Sequence, residues 1–257
     1  MRYIRYFLTG MTALFVLSGC GGPSRSDSLV VIDAGHGGHD CGAQCDGKQE
    51  KELVLQITQQ LAKEFKRKGY RVYLTRGRDK FLKLGERTKI ADKMDAKVFI
   101  SIHANAIANK NRFEAVEGIE TYFLQKTRDA RSQRVAAREN AAVLQGTDKL
   151  SRDVIIDAVL NGPKIVESNK LAIDVQNGMM RQIQSRYKDA INGGVRPAPF
   201  YVLVGASRPS ILVEVGYITN SKERERLFKP DYQKRIAKGI VEGVSRYLDN
   251  RKAETGV

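Results

Sequence analysis

Tryptophan is absent from this chain, and histidine and cysteine occur only three times each. So few cysteines and histidines give no zinc-finger spacing, and no aromatic pattern or basic helix of the kind nucleic-acid readers carry is present. Acidic residues are also scarce. Forty-four Lys and Arg stand against 29 Asp and Glu, for a net charge of +15 and a pI near 9.8. That balance calls for an anionic partner such as a membrane surface or a cell-wall polymer, and with no reader motif nucleic acid is set aside. No apolar run is long enough to cross a bilayer as an ordinary helix. What remains, 42% hydrophobic over 257 residues, suffices for one sizeable core.

The first residues read as a targeting signal. Arg2 and Arg5 precede an apolar run from Phe7 to Leu17, which ends Leu17-Ser18-Gly19-Cys20. This resembles a bacterial lipoprotein signal, whose cysteine becomes the lipidated first residue once residues 1–19 are removed. Cys20 to Ser28 reads as a lipidated residue with a Gly/Pro/Ser-rich flexible tether. Gly21 rather than Asp follows the cysteine, which by resemblance to Gram-negative lipoproteins implies the periplasmic side of an outer membrane. Export leaves Cys41 and Cys45 as an even pair in an oxidising compartment. They either close a local disulfide or stay free thiols; a metal role lacks two further soft ligands.

The catalytic body is expected over residues 29–250, with a tail at 251–257. Leu29-Val30-Val31-Ile32 is a strand buried on both faces, and it runs into Asp33-Ala34-Gly35-His36-Gly37-Gly38, a glycine-rich turn holding a histidine. Leu53, Ile57, Leu61 and Phe65 mark one stripe of a helix over Lys51–Lys68, stopped by Gly69. Tyr70–Thr75 alternates as a strand, Leu84–Met94 is helical, and Lys97–Ile102 is a strand leading to His103-Ala104-Asn105. Strand, helix, strand, helix, strand predicts a parallel sheet with right-handed crossovers. Gly118–Leu124, Val202–Val204 and Ile211–Val215 are further strands; Ser168–Tyr187 and Ser221–Asn250, broken at Pro230, are helical.

Ligands in such sheets sit beyond the carboxyl ends of strands. His36 and His103 each follow a strand, and Glu50 opens the first long helix at the same edge. Two histidines and one carboxylate, with a fourth position open, are a catalytic zinc set. Such an ion polarises a carbonyl and lowers the pKa of water, and a separate carboxylate must then move the proton. Glu214, inside the apolar run Ile211-Leu212-Val213-Glu214-Val215, is the candidate, because a buried charge is expensive unless paired or functional.

These segments occur together in a recognisable order. Ile32-Asp33-Ala34-Gly35-His36-Gly37-Gly38, Glu50-Lys51-Glu52-Leu53, Ser101-Ile102-His103-Ala104-Asn105, Gly118-Ile119-Glu120-Thr121-Tyr122 and Pro209 to Asn220 resemble the zinc-dependent N-acetylmuramoyl-L-alanine amidases of the Amidase_3 family. The resemblance implies one α/β domain, a twisted, mainly parallel sheet of about six strands with helices on both faces. It implies one zinc on His36, Glu50 and His103, Glu214 as the catalytic carboxylate, and hydrolysis of the amide between muramic acid and L-alanine in peptidoglycan. A zinc carboxy- or endopeptidase on stem peptides and a non-catalytic wall-binding lipoprotein are the alternatives; the complete His36, Glu50, His103 and Glu214 set argues against the second.

Other residues carry smaller expectations. Glu120 lines the cleft or supports the site, as does Asn105, and Arg76 is a candidate for a substrate carboxylate. His39 is read as a loop residue. The stretch 125–167 is too long for a simple connection. It holds one possible helix at Val135–Leu144 and an apolar run at Val154–Leu160. In some division-associated relatives an insertion here covers the active site until an activator protein, of LytM type, moves it; an ordinary packed helical excursion is the alternative. By that analogy an acidic residue such as Asp153, Asp157 or Glu167 would approach the metal. The chain is expected to act as a monomer.

Overall fold

The computed structural model describes residues 25–141 and 163–255. Six strands form the main sheet: β1 (Leu29–Ala34), β4 (Arg71–Leu74), β5 (Val98–Asn105), β6 (Ile119–Leu124), β7 (Asn192–Ala198) and β8 (Ser210–Tyr217). Their spatial order is β4-β1-β5-β8-β6-β7. Every neighbouring pair is parallel except β6 and β8. The strands β2 (Gln44–Cys45) and β3 (Lys48–Gln49) form a separate small hairpin. The sheet is therefore the expected mainly parallel, six-stranded one.

The burial pattern follows from that order. β1, β5, β6 and β8 are interior and buried at every residue, which explains why most of their residues are apolar. On one face lie α1 (Glu50–Arg67), α4 (Pro163–Gln184) and α7 (Pro230–Thr255), over the core that contains Leu53, Ile57, Leu61, Val175, Met179, Ile236 and Ile240. The other face carries α2 (Leu84–Lys93), α3 (Ala130–Asn140) and the single turn α5 (Tyr201–Val204), over a smaller core of Val31, Phe99, Tyr122, Leu212 and Phe200. α6 (Ser221–Leu227) precedes α7, and the break at Pro230 falls where expected. Among the described residues no helix is long and apolar enough to cross a membrane.

Three expectations need correction. Val202–Val204 is helical rather than extended: three apolar residues carry no period, and the turn packs Val202 and Leu203 into the smaller core. The strand beside it is Asn192–Ala198, which contains Gly193, Gly194 and Pro197. Glycine and proline obscure a strand in sequence, yet both are tolerated at a sheet edge, where β7 lies. The tether is also shorter than expected. Arg25–Asp27 forms a 3-10 turn, and Arg25 pairs with Asp249 at 3.0 Å and lies over the Tyr70 ring. The expected tail is likewise helical as far as Thr255.

Candidate metal centre and cleft

The face under α3 carries a row of polar side chains toward the carboxyl ends of β1, β5 and β8 and at the amino end of antiparallel β6. Strand alternation places Asp33 on β1, Ser101, His103 and Asn105 on β5, Glu214 on β8 and Glu120 on β6 toward this side. His103 pairs in register with Glu214, and Glu214 with Glu120. A register shift between His103 and Asn105 bends the end of β5 beside the site.

His36 reaches this row from the glycine-rich turn in a left-handed backbone conformation, φ 58°, which is costly for a residue with a Cβ. Two buried arginines hold the turn. Arg87 donates to Asp33 at 2.9 Å, to the Ala34 carbonyl at 2.6 Å and to the His36 carbonyl at 2.9 Å. Arg76 donates to the carbonyls of Ala34, Gly35 and Lys51. Arg76 is thus not available to a substrate carboxylate: it is 3% exposed, and the loop carbonyls occupy its guanidinium.

His36, Glu50, His103 and Glu139 bring one ligand atom each within 4.8 Å of one another. His36 Nε2 lies 3.1 Å from Glu50 Oε1 and 3.2 Å from Glu139 Oε2. His103 Nδ1 lies 3.2 Å from Glu50 Oε1 and 2.8 Å from Glu139 Oε2. Despite those distances, His36 Nε2 and Glu139 Oε2 are buried with no aligned hydrogen bond. His103 Nδ1 bonds Glu50 Oε1 at 3.2 Å, while His36 Nε2 and Glu139 Oε2 converge on the same small space without a bond of their own among the described residues. A tetrahedron with ligand bonds of about 2.0–2.1 Å has edges of roughly 3.3 Å, so the spacing suits zinc. Asp40 Oδ2 lies 3.0 Å from His36 Nδ1, which fixes the ring and leaves Nε2 free for an ion. Glu50 is held by the backbone N–H groups of Ala43 and Ala104, at 2.9 and 2.8 Å. A Cβ on Gly35 would come within 2.4 Å of the His103 ring, and one on Gly42 within 2.6 Å of His36, so these two glycines admit the ligand set.

The charges match that reading. Burial works against a charged His36, but the Glu50 carboxylate overrides it and holds the imidazole pKa well above its ordinary value. His103 is pushed up to about 9, against burial, by Glu139 and Glu50. Glu50 titrates below the usual range because His36 overcomes the effect of burial. A cation at the shared point would relieve the same crowd of carboxylates and free both nitrogens as ligands.

Glu214 is fully buried and stands beside the cluster without belonging to it. Burial raises its pKa to about 8, opposed by Arg138 and reinforced by Glu139. Arg138 Nη2 donates to Glu214 Oε1 at 3.3 Å, while Glu214 Oε2 has no hydrogen-bond partner among the described residues. Asn105 and Glu120 belong to the same row: Asn105 Nδ2 donates to Glu120 Oε2 at 3.2 Å, and Asn105 Oδ1 accepts from Arg138 at 3.0 Å.

The acidic residue that meets the cluster from the 125–167 stretch is therefore Glu139. Glu167 bonds Tyr247 and pairs with Lys170, both on helices of the opposite face, and Asp153 and Asp157 lie outside the described residues, as does Val154–Leu160. The available signal was a helix whose buried stripe, Ser132, Val135, Ala136, Glu139 and Asn140, places a carboxylate where an apolar residue belongs. Cys41 and Cys45 are both free thiols rather than a disulfide. Cys45 sits on β2 with Sγ 3.4 Å from Arg224, so its thiol faces α6. His39 is a loop residue stacked on Phe81, centroids 4.2 Å apart, and both line an open cleft of about 420 Å³ leading to His36.

Comparison with known proteins agrees with this architecture. The Amidase_3 family model, described as N-acetylmuramoyl-L-alanine amidase, matches residues 30–246. N-acetylmuramoyl-L-alanine amidase AmiA of Escherichia coli is 32% identical over 239 residues, 90% of this chain and 81% of that protein. Amidase AmiC2 of Nostoc punctiforme superposes with a TM-score of 0.63 at 32% identity, covering 89% of this chain and 99% of that one. An amidase from Clostridium difficile superposes at 0.66 with 30% identity, covering 87% and 98%.

Proposed function

The chain belongs to the N-acetylmuramoyl-L-alanine amidase family and is a peptidoglycan amidase, and we propose that it works as a zinc enzyme whose cleft is closed by its own α3. The observation that carries the zinc reading is the convergence of four buried ligand atoms, two of which, His36 Nε2 and Glu139 Oε2, have no hydrogen-bond partner among the described residues. His36, Glu50 and His103 would hold the ion. Zinc, when bound, supplies Lewis acidity toward the scissile carbonyl and toward water.

The protein's own groups do the rest. Glu214, beside the cluster, takes a proton from the attacking water and hands it to the departing alanine nitrogen. An amide does not break until that poor leaving group is protonated. The Asp33, Arg76 and Arg87 network fixes the turn that presents His36.

In the closed arrangement Glu139 takes the position that water and the substrate carbonyl need, and Arg138 engages Glu214 Oε1. α3 contributes only Val135 and Ala136 to the apolar core, worth roughly 2–3 kcal/mol, and is otherwise attached by polar contacts. Such a helix can be displaced without dismantling the domain, which is the opening left to an activator protein. Location follows the sequence: we propose lipidation at Cys20 and a periplasmic, outer-membrane site. A Cys20→Ser chain that stays in the membrane fraction unchanged would remove that proposal.

The test of function is digestion of purified peptidoglycan by the metal-loaded chain, with and without chelator, followed by mass analysis. Peptides with a free N-terminal alanine and intact muramic acid are expected, and only with metal. Cleavage within the stem peptide would establish the peptidase instead. Metal content measured on His103→Ala should fall well below one per chain; full zinc occupancy would sink the ligand assignment.

A further inference from the structure

The polar row continues past Glu214, beneath the first half of α3. Glu120 is fully buried. Its carboxylate accepts from Arg196 Nε at 2.9 Å, Tyr122 Oη at 3.0 Å and Asn105 Nδ2 at 3.2 Å, with Tyr217 Oη at 3.4 Å. α3 adds Arg131, whose Nη2 lies 3.0 Å from Glu120 Oε1, while its guanidinium stands 5.8 Å over the Tyr217 ring. Asp129, the N-cap of the same helix, faces Arg196 at 3.6 Å. The helix therefore sets a carboxylate and a guanidinium, two residues apart, onto an arginine and a glutamate of the sheet. The match is reciprocal, charge for charge.

This contact is not needed to start the helix, because Asp129 caps it through the Ser132 N–H and hydroxyl, at 2.9 and 2.6 Å. Nor does it suit Arg131, whose Nε is buried with no hydrogen-bond partner among the described residues. With α3 lifted away, Glu120 and Arg196 would line the floor of the cleft side by side, with the Tyr122 and Tyr217 hydroxyls. Glu120 lies two strand spacings along the ladder from His103, about 10 Å.

We propose that Glu120 and Arg196 form a substrate subsite for a zwitterionic group, an ammonium and a carboxylate on one carbon, and that Arg131 and Asp129 occupy it when the cleft is closed. The proposal rests on the amidase reading. It names the substrate class: stem peptides whose third residue is a diamino acid with a free carboxylate beside its terminal ammonium, as opposed to one that ends in the ammonium alone. Extended peptide advances about 3.3–3.6 Å per residue, so the side chain of the third residue can reach a point about 10 Å from the scissile amide. Glu120 would take the ammonium and Arg196 the carboxylate, a charge-assisted pairing for which a planar guanidinium is suited.

The experiment uses the zinc-loaded chain with Glu139→Ala, in which the cleft is relieved. kcat/KM is measured on N-acetylmuramyl tripeptides ending in meso-diaminopimelate or in L-lysine. A preference of about tenfold or more for diaminopimelate is expected, the scale of one charged hydrogen-bonding partner. Adding Arg196→Gln, a side chain at the sheet edge, should shrink that ratio toward one, and Glu120→Gln gives a second reading. Equal kcat/KM for the two tripeptides, or a preference that survives Arg196→Gln, overturns the proposal. Failure to cleave either tripeptide counts against the amidase reading itself. Calorimetric affinities of the two tripeptides then decide the subsite: equal affinities overturn it, and a diaminopimelate preference lost in Arg196→Gln supports it.

Discussion

Glu139 Oε2 lies 2.8 Å from His103 Nδ1, so a residue of α3 stands among the groups that would hold the metal. Its neighbour Arg138 bonds Glu139 on one side and Glu214 on the other. One turn of helix thus contacts the ligand cluster and the candidate general base together. Glu139→Ala should raise basal peptidoglycan hydrolysis by about tenfold or more, since a contact to a charged group is worth roughly 1.5–3 kcal/mol of closure. Zinc content should stay near one per chain. Dye release from labelled peptidoglycan, with metal analysis of the same sample, is the measurement. A folded, metallated variant with equal or lower activity would show that Glu139 serves the site and does not close it.

Removal of the Glu214 charge should act on chemistry rather than on assembly. Glu214→Gln keeps the shape of the side chain and takes nothing from the four-residue cluster, so folding and zinc content should be retained. Turnover should fall by about 10²–10⁴-fold, the usual contribution of positioned proton transfer, with a much smaller change in KM. Near-normal turnover in a fully metallated Glu214→Gln sample would move the base elsewhere, with Glu120 next along the row.

The chemistry-bearing residues were legible in the sequence, and the clamps and the cover were not. His36 and His103 follow apolar runs, Glu50 opens a periodic one and Glu214 interrupts a third run, so topology brings them to one edge. Arg76 and Arg87 look like ordinary surface arginines, because their partners are loop carbonyls some forty and fifty residues away in sequence. β7 was hidden by Gly193, Gly194 and Pro197, whose tolerance depends on an edge position that only the assembled sheet creates. Glu139 escaped notice for a related reason: a carboxylate on a basic helix reads as solvated until the helix is seen lying across the sheet.

The Arg87 clamp makes its own prediction. Arg87 pairs with a fully buried Asp33, which also accepts from Thr75 at 2.5 Å and Ser101 at 2.7 Å. Despite burial, Arg87 and these hydroxyls hold the Asp33 carboxyl below its ordinary pKa, so it is charged in the fold. Arg87→Met would leave that charge uncompensated and cost about 3–5 kcal/mol. Urea unfolding should show the loss, and Arg87→Met/Asp33→Asn should recover part of it. Additive losses in that double-mutant cycle would mean that the two groups do not stabilise each other.

A last prediction concerns Glu223, remote from the metal. Glu223 is 4% exposed and accepts from the N–H groups of Tyr217 at 2.6 Å and Gly118 at 3.0 Å, so it ties the end of β8 to the start of β6. Burial raises its pKa from an ordinary 4.5 to about 7, more than the two backbone bonds lower it. Between those values the folded protein keeps a proton that the unfolded chain releases. The sign follows from linkage: stability from this group is lost as pH rises from about 4.5 to about 7 and changes no further above that window. The upper bound is on the order of 3 kcal/mol, from a shift of 7 against 4.5. Glu223→Gln removes the titration while adding a pH-independent loss, because its amide NH₂ faces a backbone donor. The difference in urea midpoint between wild type and Glu223→Gln, followed from pH 4.5 to 8, should therefore narrow steadily toward pH 7 and then level off. A difference that stays constant across that range would show that Glu223 titrates alike in the fold and in the unfolded chain, its two N–H donors offsetting burial.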